Sequence, residues 1–60
     1  MTNRESCLDS ARHWRAEAEN LRDLAQAPHL KPAGREALLQ QADAADRQAE
    51  WWEAGAQEEP

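Results

Sequence analysis

Three observations predict an all-α fold, specifically an antiparallel two-helix hairpin. The first is composition. Thr2 is the only β-branched residue among the 60, so almost nothing favours a strand, whereas Ala, Leu, Glu, Gln and Arg, the best helix formers, dominate the chain. The other two observations are a repeated apolar spacing and the way its two occurrences match in reverse.

Two series of small and apolar residues recur at alternating spacings of four and three, the pattern by which one helix packs along another. The upstream series is Cys7, Ala11, Trp14, Ala18 and Leu21, and the downstream series is Leu38, Ala42, Ala45, Ala49 and Trp52. Paired in reverse order, the residue numbers add to 59 or 60 in every pair. A constant sum is the property of two antiparallel helices joined by one connection, and here it sets Trp14 against Ala45.

Local signals predict where each helix begins and ends. Thr2 and Glu5 fit a capping box at the start of the first helix, predicted over about residues 3–27, and Pro28 is expected to end it. The tip is predicted over residues 28–31. Pro32 suits the first turn of the second helix, predicted over about residues 32–54. Gly55 is expected to terminate that helix and leave residues 55–60 as an acidic tail.

The predicted core is too small to be very stable by itself. Sixty residues make one domain, here a single helical hairpin over residues 1–60, and most of its apolar residues are alanines. Burying a methyl group is worth about 0.8 kcal/mol, whereas ordering a residue costs about 1–2 kcal/mol of backbone entropy. We therefore expect association with a second copy, giving a four-helix bundle, or with another protein.

Composition also narrows the functional class. A formal charge of −5 argues against general binding of nucleic acid, which needs a basic surface. One cysteine cannot form an internal disulfide, and no apolar run is long enough for a membrane span or a signal-peptide core, so a cytoplasmic location is expected. No catalytic constellation or phosphate loop is present. Neither enzymatic activity, nor a cofactor, nor a metal site is expected.

The predicted hairpin has two flanks of different chemistry. The charged flank carries Arg12, Arg15, Glu19, Arg22, Asp43, Asp46, Glu50 and Glu53. The carboxylates of the second helix form what we call the acidic face: Glu36, Asp43, Asp46, Glu50 and Glu53. The uncharged flank is defined by His13, Glu17, Leu24, Ala37, Gln41, Ala44, Gln48 and Trp51. Depleted charge and an outward tryptophan are interface signals, although the Trp51 ring could instead cover Trp52 at its own helix end.

Three functional hypotheses follow. The first is a non-catalytic, homodimeric regulator or adaptor that acts through the uncharged flank. The second is an acidic inhibitor, of the kind encoded by phages and plasmids, whose acidic face occupies a basic nucleic-acid-binding groove on an enzyme. The two differ in salt response, because only binding through carboxylates weakens steeply with ionic strength.

The third hypothesis comes from a resemblance. The chain is similar to the plasmid Rop family in length, hairpin plan and heptad spacing, with short matches at Ala11-Arg12 with Arg15 and at Ala42-Asp43 with Arg47. The resemblance implies a dimer of hairpins that binds paired RNA loops through its first helix, with Arg4, Arg12 and Arg15 on that surface. The negative net charge and the longer, proline-bounded tip argue against this hypothesis.

Overall fold

The structure, a computed structural model, describes residues 3–57 and consists of two antiparallel helices. Helix α1 spans Asn3–Ala25 and helix α2 spans Pro32–Gln57, and the two pack against each other along their length. The Cα atoms occupy a slab of 48 × 15 × 9 Å, two helices wide and one helix thick. The predicted all-α hairpin is confirmed, and the slab has two broad faces that correspond to the two flanks.

The contact between the helices is built on alanine. The buried apolar residues are Ala11, Ala18, Ala25, Ala42, Ala45, Ala49 and Ala56. Three from α1 and three from α2 each recur every seven residues, and we call these six the alanine line: Ala11, Ala18, Ala25, Ala42, Ala49 and Ala56. An alanine once per heptad lets two helix backbones approach closely, because the methyl group projects little from the helix surface.

The larger seam residues lie beside the alanine line and are only half-buried. They are Cys7, Trp14, Leu21, Leu38 and Trp52, which we call the large-residue line. Trp14 and Leu21 pack against the cluster of Ala18, Ala42 and Ala45, as the predicted register requires. Within residues 3–57 no side chain larger than alanine is fully buried. The hairpin therefore gains less from apolar burial than its tryptophans and leucines could supply.

The tip is a tight turn centred on Pro28 and His29. The Gln26 and Ala27 amides donate to the carbonyls of Asp23 and Leu24, so the last turn of α1 narrows to i→i−3 bonding and the α-helix ends at Ala25, two residues earlier than predicted. The Leu30 amide donates to the Ala27 carbonyl at 3.2 Å and closes a β-turn. No described residue has a positive φ, which excludes a type II turn and leaves Pro28 in the position that favours proline in type I.

The prediction that Gly55 ends the second helix is wrong. Helix α2 continues through Gly55 to Gln57, and Gly55 does not adopt the left-handed conformation of a terminating glycine. The physical reason is Ala56, which lies one residue further on and is buried in the alanine line. Burial of that methyl group favours another helical turn, so the predicted tail begins as helix. Residues 58–60, and the Thr2 cap predicted for α1, lie outside the described residues.

An arginine from α2 caps the end of α1. The Arg35 Nε donates a hydrogen bond to the Ala25 carbonyl oxygen at 2.9 Å, supplying a partner to one of the last carbonyls of α1. Our sequence analysis did not identify this contact. The predicted register is consistent with this contact, because the residue numbers 25 and 35 also add to 60 and the two residues therefore lie level with each other.

Candidate functional site

The uncharged flank contains a groove between the two helices. Its lining residues are Trp14, Glu17, Leu21, Gln41, Ala44, Ala45 and Gln48. Four of the eight residues predicted for this flank, Glu17, Gln41, Ala44 and Gln48, thus surround the half-buried rings and methyls of the large-residue line. The groove combines an apolar floor with amide side chains and a single carboxylate, which is the composition of an interface core with a polar rim.

Trp51 lies at the open end of the same flank. Trp51 is 65% exposed, although its ring packs against the Trp52 ring. The two ring centroids lie 4.8 Å apart, with an angle of 81° between the ring planes. The ring thus lies over Trp52, as one of the two sequence interpretations expected, and still presents most of its surface to solvent. Contact of Trp51 with a partner stays a prediction. A neighbouring groove is lined by Arg47, Gln48 and Trp51, and Arg47 is a residue that our sequence analysis left out of this surface.

Trp52 is the residue that Trp51 covers. Its indole Nε1 is buried and has no hydrogen-bond acceptor within residues 3–57. An unpaired buried donor costs about 1–3 kcal/mol. The open end of the hairpin therefore carries a local energetic cost beside its most exposed tryptophan.

The remaining residues of the uncharged flank lie on the surface outside the groove. His13 is exposed, and its ring makes a T-shaped contact with the Trp14 ring, with the two centroids 5.7 Å apart. Leu24 is 59% exposed near the tip, and Ala37 is exposed on the facing helix. Together with Trp51 these side chains extend the apolar surface beyond the groove in both directions along the hairpin.

Ion pairs that join the two helices cover the charged flank. Arg15 donates to Asp46 at 3.2 Å and to Glu53 at 2.7 Å. Arg22 donates to the other oxygen of Asp46 and lies 3.7 Å from Asp43. By register alone, Arg15 lies level with Asp46 and Arg22 lies level with Leu39, so spacing gives only the first of these pairs. A guanidinium group on a long side chain reaches carboxylates one helical turn away as well.

The charges within this network reinforce each other. The hydrogen bond from Arg22, with the nearby positive charges of both arginines, holds the pKa of the Asp46 carboxyl below its usual value. Glu53 raises the pKa of Arg15, and Asp46 raises the pKa of Arg22, by stabilising their charged forms. Arg15, Arg22 and Asp46 therefore stay charged at neutral pH, and their ion pairs join the two helices.

The network changes what the acidic face can offer. Three of its five carboxylates, those of Asp43, Asp46 and Glu53, face arginines of the same hairpin, whereas Glu36 and Glu50 make no ion pair within residues 3–57. Three of the five carboxylates are therefore engaged within the hairpin, and the two arginines compensate part of the negative charge of the acidic face.

The arginines expected on an RNA-binding surface are also largely paired. Arg12 donates to Asp9 at 2.9 Å on its own helix, and Arg15 is held by the two carboxylates of α2. A guanidinium already matched to a carboxylate has to break that contact before it binds a phosphate.

Within residues 3–57, no three His, Cys, Asp or Glu side chains converge as metal ligands. Neither of the two helices combines the length and the apolar character that crossing a bilayer demands.

Comparisons with known proteins give no relative from which to assign a function. No protein-family model matches the chain, and no curated protein or solved structure matches it significantly. The geometry of the two flanks is therefore the basis for the proposals that follow.

Proposed function

We propose that this chain is a non-catalytic protein–protein interaction module that acts as a homodimeric regulator or adaptor, two hairpins forming a four-helix bundle through their uncharged flanks. The observation that carries the proposal is the incomplete burial of the large-residue line. Trp14 and Leu21 are half-buried on a face that also exposes Leu24 and Trp51. Covering that face with a second copy would bury the apolar surface that one hairpin leaves open.

The dimensions of the face suit such an interface. The face measures 48 Å by 15 Å, and its area is comparable to the ~800 Å² that each partner buries in a stable interface of standard size. Its charge is low, with Glu17 the one carboxylate in the groove. The charged flank has the opposite character, since its ion pairs already join α1 to α2 and would remain at the surface of the bundle.

Sedimentation equilibrium over a range of concentrations tests this proposal. The wild-type chain of 6.8 kDa is expected at twice that mass. Trp51→Glu is expected to weaken the dimer by about 2 kcal/mol or more, roughly 30-fold in Kd, because it places a charge in the apolar interface. The matched control is Leu39→Glu, at an exposed leucine beside Arg22 on the other flank, which is expected to leave the mass unchanged.

Two results would contradict the proposal: a wild-type chain that is monomeric throughout, or dimers that Leu39→Glu disrupts and Trp51→Glu does not. Salt separates the proposal from the acidic-inhibitor hypothesis. The Kd of an interface built mainly on tryptophan, alanine and glutamine changes little between low and high salt, whereas the Kd of a complex made through carboxylates rises steeply.

A further inference from the structure

Two-fold symmetry allows two hairpins to meet by the uncharged flank in two ways. In a parallel arrangement both tips lie at the same end, and α1 of one copy faces α2 of the other. In an antiparallel arrangement the tips lie at opposite ends, so that α1 faces α1 and α2 faces α2. We propose that the second copy binds antiparallel, an inference that rests on the dimer proposed above and specifies its geometry.

Charge along the hairpin favours the antiparallel arrangement. Residues 20–40, at the tip end, carry three basic and two acidic residues, a net charge of +1. Residues 3–10 and 48–57, at the open end, carry one basic and four acidic residues, a net charge of −3. Parallel hairpins would place two acidic ends side by side, whereas antiparallel hairpins place each acidic end against a basic tip.

The single carboxylate of the groove points to the same arrangement. Glu17 is half-buried, and His13 lies one turn earlier on the same stripe of α1. If two α1 helices cross antiparallel with their midpoint between these residues, His13 of each copy lies level with Glu17 of the other. The imidazole then offers a hydrogen-bond donor to a carboxylate that makes no ion pair within residues 3–57. In the parallel arrangement the same register instead places Glu17 level with Ala42 of the second copy.

The same midpoint gives a complementary contact between the two α2 helices. The residue numbers of facing pairs such as Trp14 and Ala45 add to 59, so residue 15 of α1 lies level with Ala44 of α2. Ala44 then lies next to Ala44 of the second copy. Trp51 and Ala37, each seven residues from Ala44, lie opposite one another across the interface. An exposed tryptophan thus meets an exposed alanine twice, and large side chains pack best against small ones.

Disulfide trapping under mild oxidation tests the arrangement, with wild type, Cys7→Ser/Ala44→Cys and Cys7→Ser/Leu39→Cys compared by non-reducing electrophoresis. In the antiparallel dimer the thiols introduced by Ala44→Cys meet at the two-fold axis, within the short range that a disulfide requires. The native Cys7 thiols lie about 24 Å apart along the bundle, at 1.5 Å per helical residue. The thiol introduced by Leu39→Cys faces away from the second copy.

The expected result is conversion of most of the Cys7→Ser/Ala44→Cys chain into a disulfide dimer, with only background cross-linking of the other two chains. Sedimentation of the reduced proteins shows whether each variant still dimerises. A reduced dimer in which wild-type Cys7 cross-links, or in which Ala44→Cys does not, overturns the antiparallel geometry and leaves the dimer standing. A reduced wild-type chain that is monomeric overturns the proposed function itself, so the two failures are distinguishable.

Discussion

On the charged flank, Arg15 and Arg22 together reach three carboxylates of α2, whereas on the uncharged flank Glu17 makes no ion pair within residues 3–57. The two flanks also differ in the exposure of their large apolar residues. The charged flank exposes Leu39 at 43%, while the uncharged flank exposes Leu24 at 59% and Trp51 at 65% beside a groove floored by Trp14. One flank thus pairs several of its charged groups within a single hairpin, and the other leaves large apolar side chains exposed.

The difference has one structural origin. The alanine line holds the helices so close that the large-residue line cannot enter between them and is displaced towards one face. The residues that meet across the opposite edge are then free to be charged. Substitutions in the alanine line, in the flanks and at the two ends of the hairpin therefore test this account separately.

The largest expected effect comes from enlarging the alanine line, which both flanks share. Ala18 is completely buried, so Ala18→Leu forces α1 and α2 apart and is expected to cost about 1–3 kcal/mol of unfolding free energy. Urea denaturation followed by circular dichroism measures it. The control is Ala16→Leu, two residues away at an exposed position, which is expected to change stability by no more than about 0.5 kcal/mol. Equal effects from both variants would refute a close-packed alanine contact.

The next effect concerns the tip on the charged-flank side. Arg35→Gln removes the hydrogen bond to the Ala25 carbonyl and is expected to cost about 1 kcal/mol of stability. Thermal unfolding measures the loss. Arg12→Gln is the matched control, because Arg12 bonds only to Asp9 one turn away on the exposed surface of α1. If the two variants unfold at the same temperature, the Arg35 cap does not contribute to the closure of the tip.

A smaller effect, in the opposite direction, is expected at the open end. Gly55 lies inside α2, and a Cβ there would lie 3.8 Å from the Cys7 Sγ, an ordinary van der Waals distance. Gly55→Ala is therefore expected to stabilise the protein by about 0.5–1 kcal/mol, because glycine in a helix interior loses more backbone entropy than alanine. The same denaturation series measures it. A destabilised Gly55→Ala variant would restore Gly55 as the helix terminator and place the end of α2 earlier.

The smallest expected effect is a pH dependence confined to the charged flank. The pKa of Asp46 is lowered in the folded state, first by its hydrogen bond from Arg22. The associated stabilisation is therefore present above the unfolded value of 3.8 and is lost as the pH falls through the lower, folded value. Asp46→Asn is expected to lower the melting temperature at neutral pH and to flatten its fall on acidification. Glu50→Gln serves as the comparison, because this exposed carboxylate makes no ion pair within residues 3–57. A larger effect from Glu50→Gln would contradict the assignment of the pH dependence to Asp46.

Much of the fold could be predicted from the sequence because it depends on spacing. The alternating series from Cys7 to Leu21 and from Leu38 to Trp52 define the register, and Pro32 marks the start of α2 as expected. The end of α2 could not be predicted in this way. A glycine beside a helix end is compatible with termination or continuation, and the burial of Ala56, which decides between them, is a property of the packed hairpin.

The candidate surfaces were predictable in outline only. Spacing placed Glu17, Gln41, Ala44 and Gln48 on one flank, and the structure brings them around one groove. Spacing did not reveal that Arg22 reaches two carboxylates, because the reach of a long side chain is not a function of register. Nor did spacing reveal that three of the five carboxylates of the acidic face lie against arginines of α1.

The central claim is that the uncharged flank is covered by a second copy while the charged flank stays in solvent, and the accessibility of two leucines tests it most directly. In an isolated hairpin Leu24 is more exposed than Leu39, at 59% against 43%. Methyl NMR signals measured with a soluble paramagnetic probe, at protein concentrations where the dimer forms, report both side chains together. The account predicts the reverse order, with the Leu24 methyl signals protected and the Leu39 signals attenuated. Stronger attenuation of Leu24 at every concentration would contradict it.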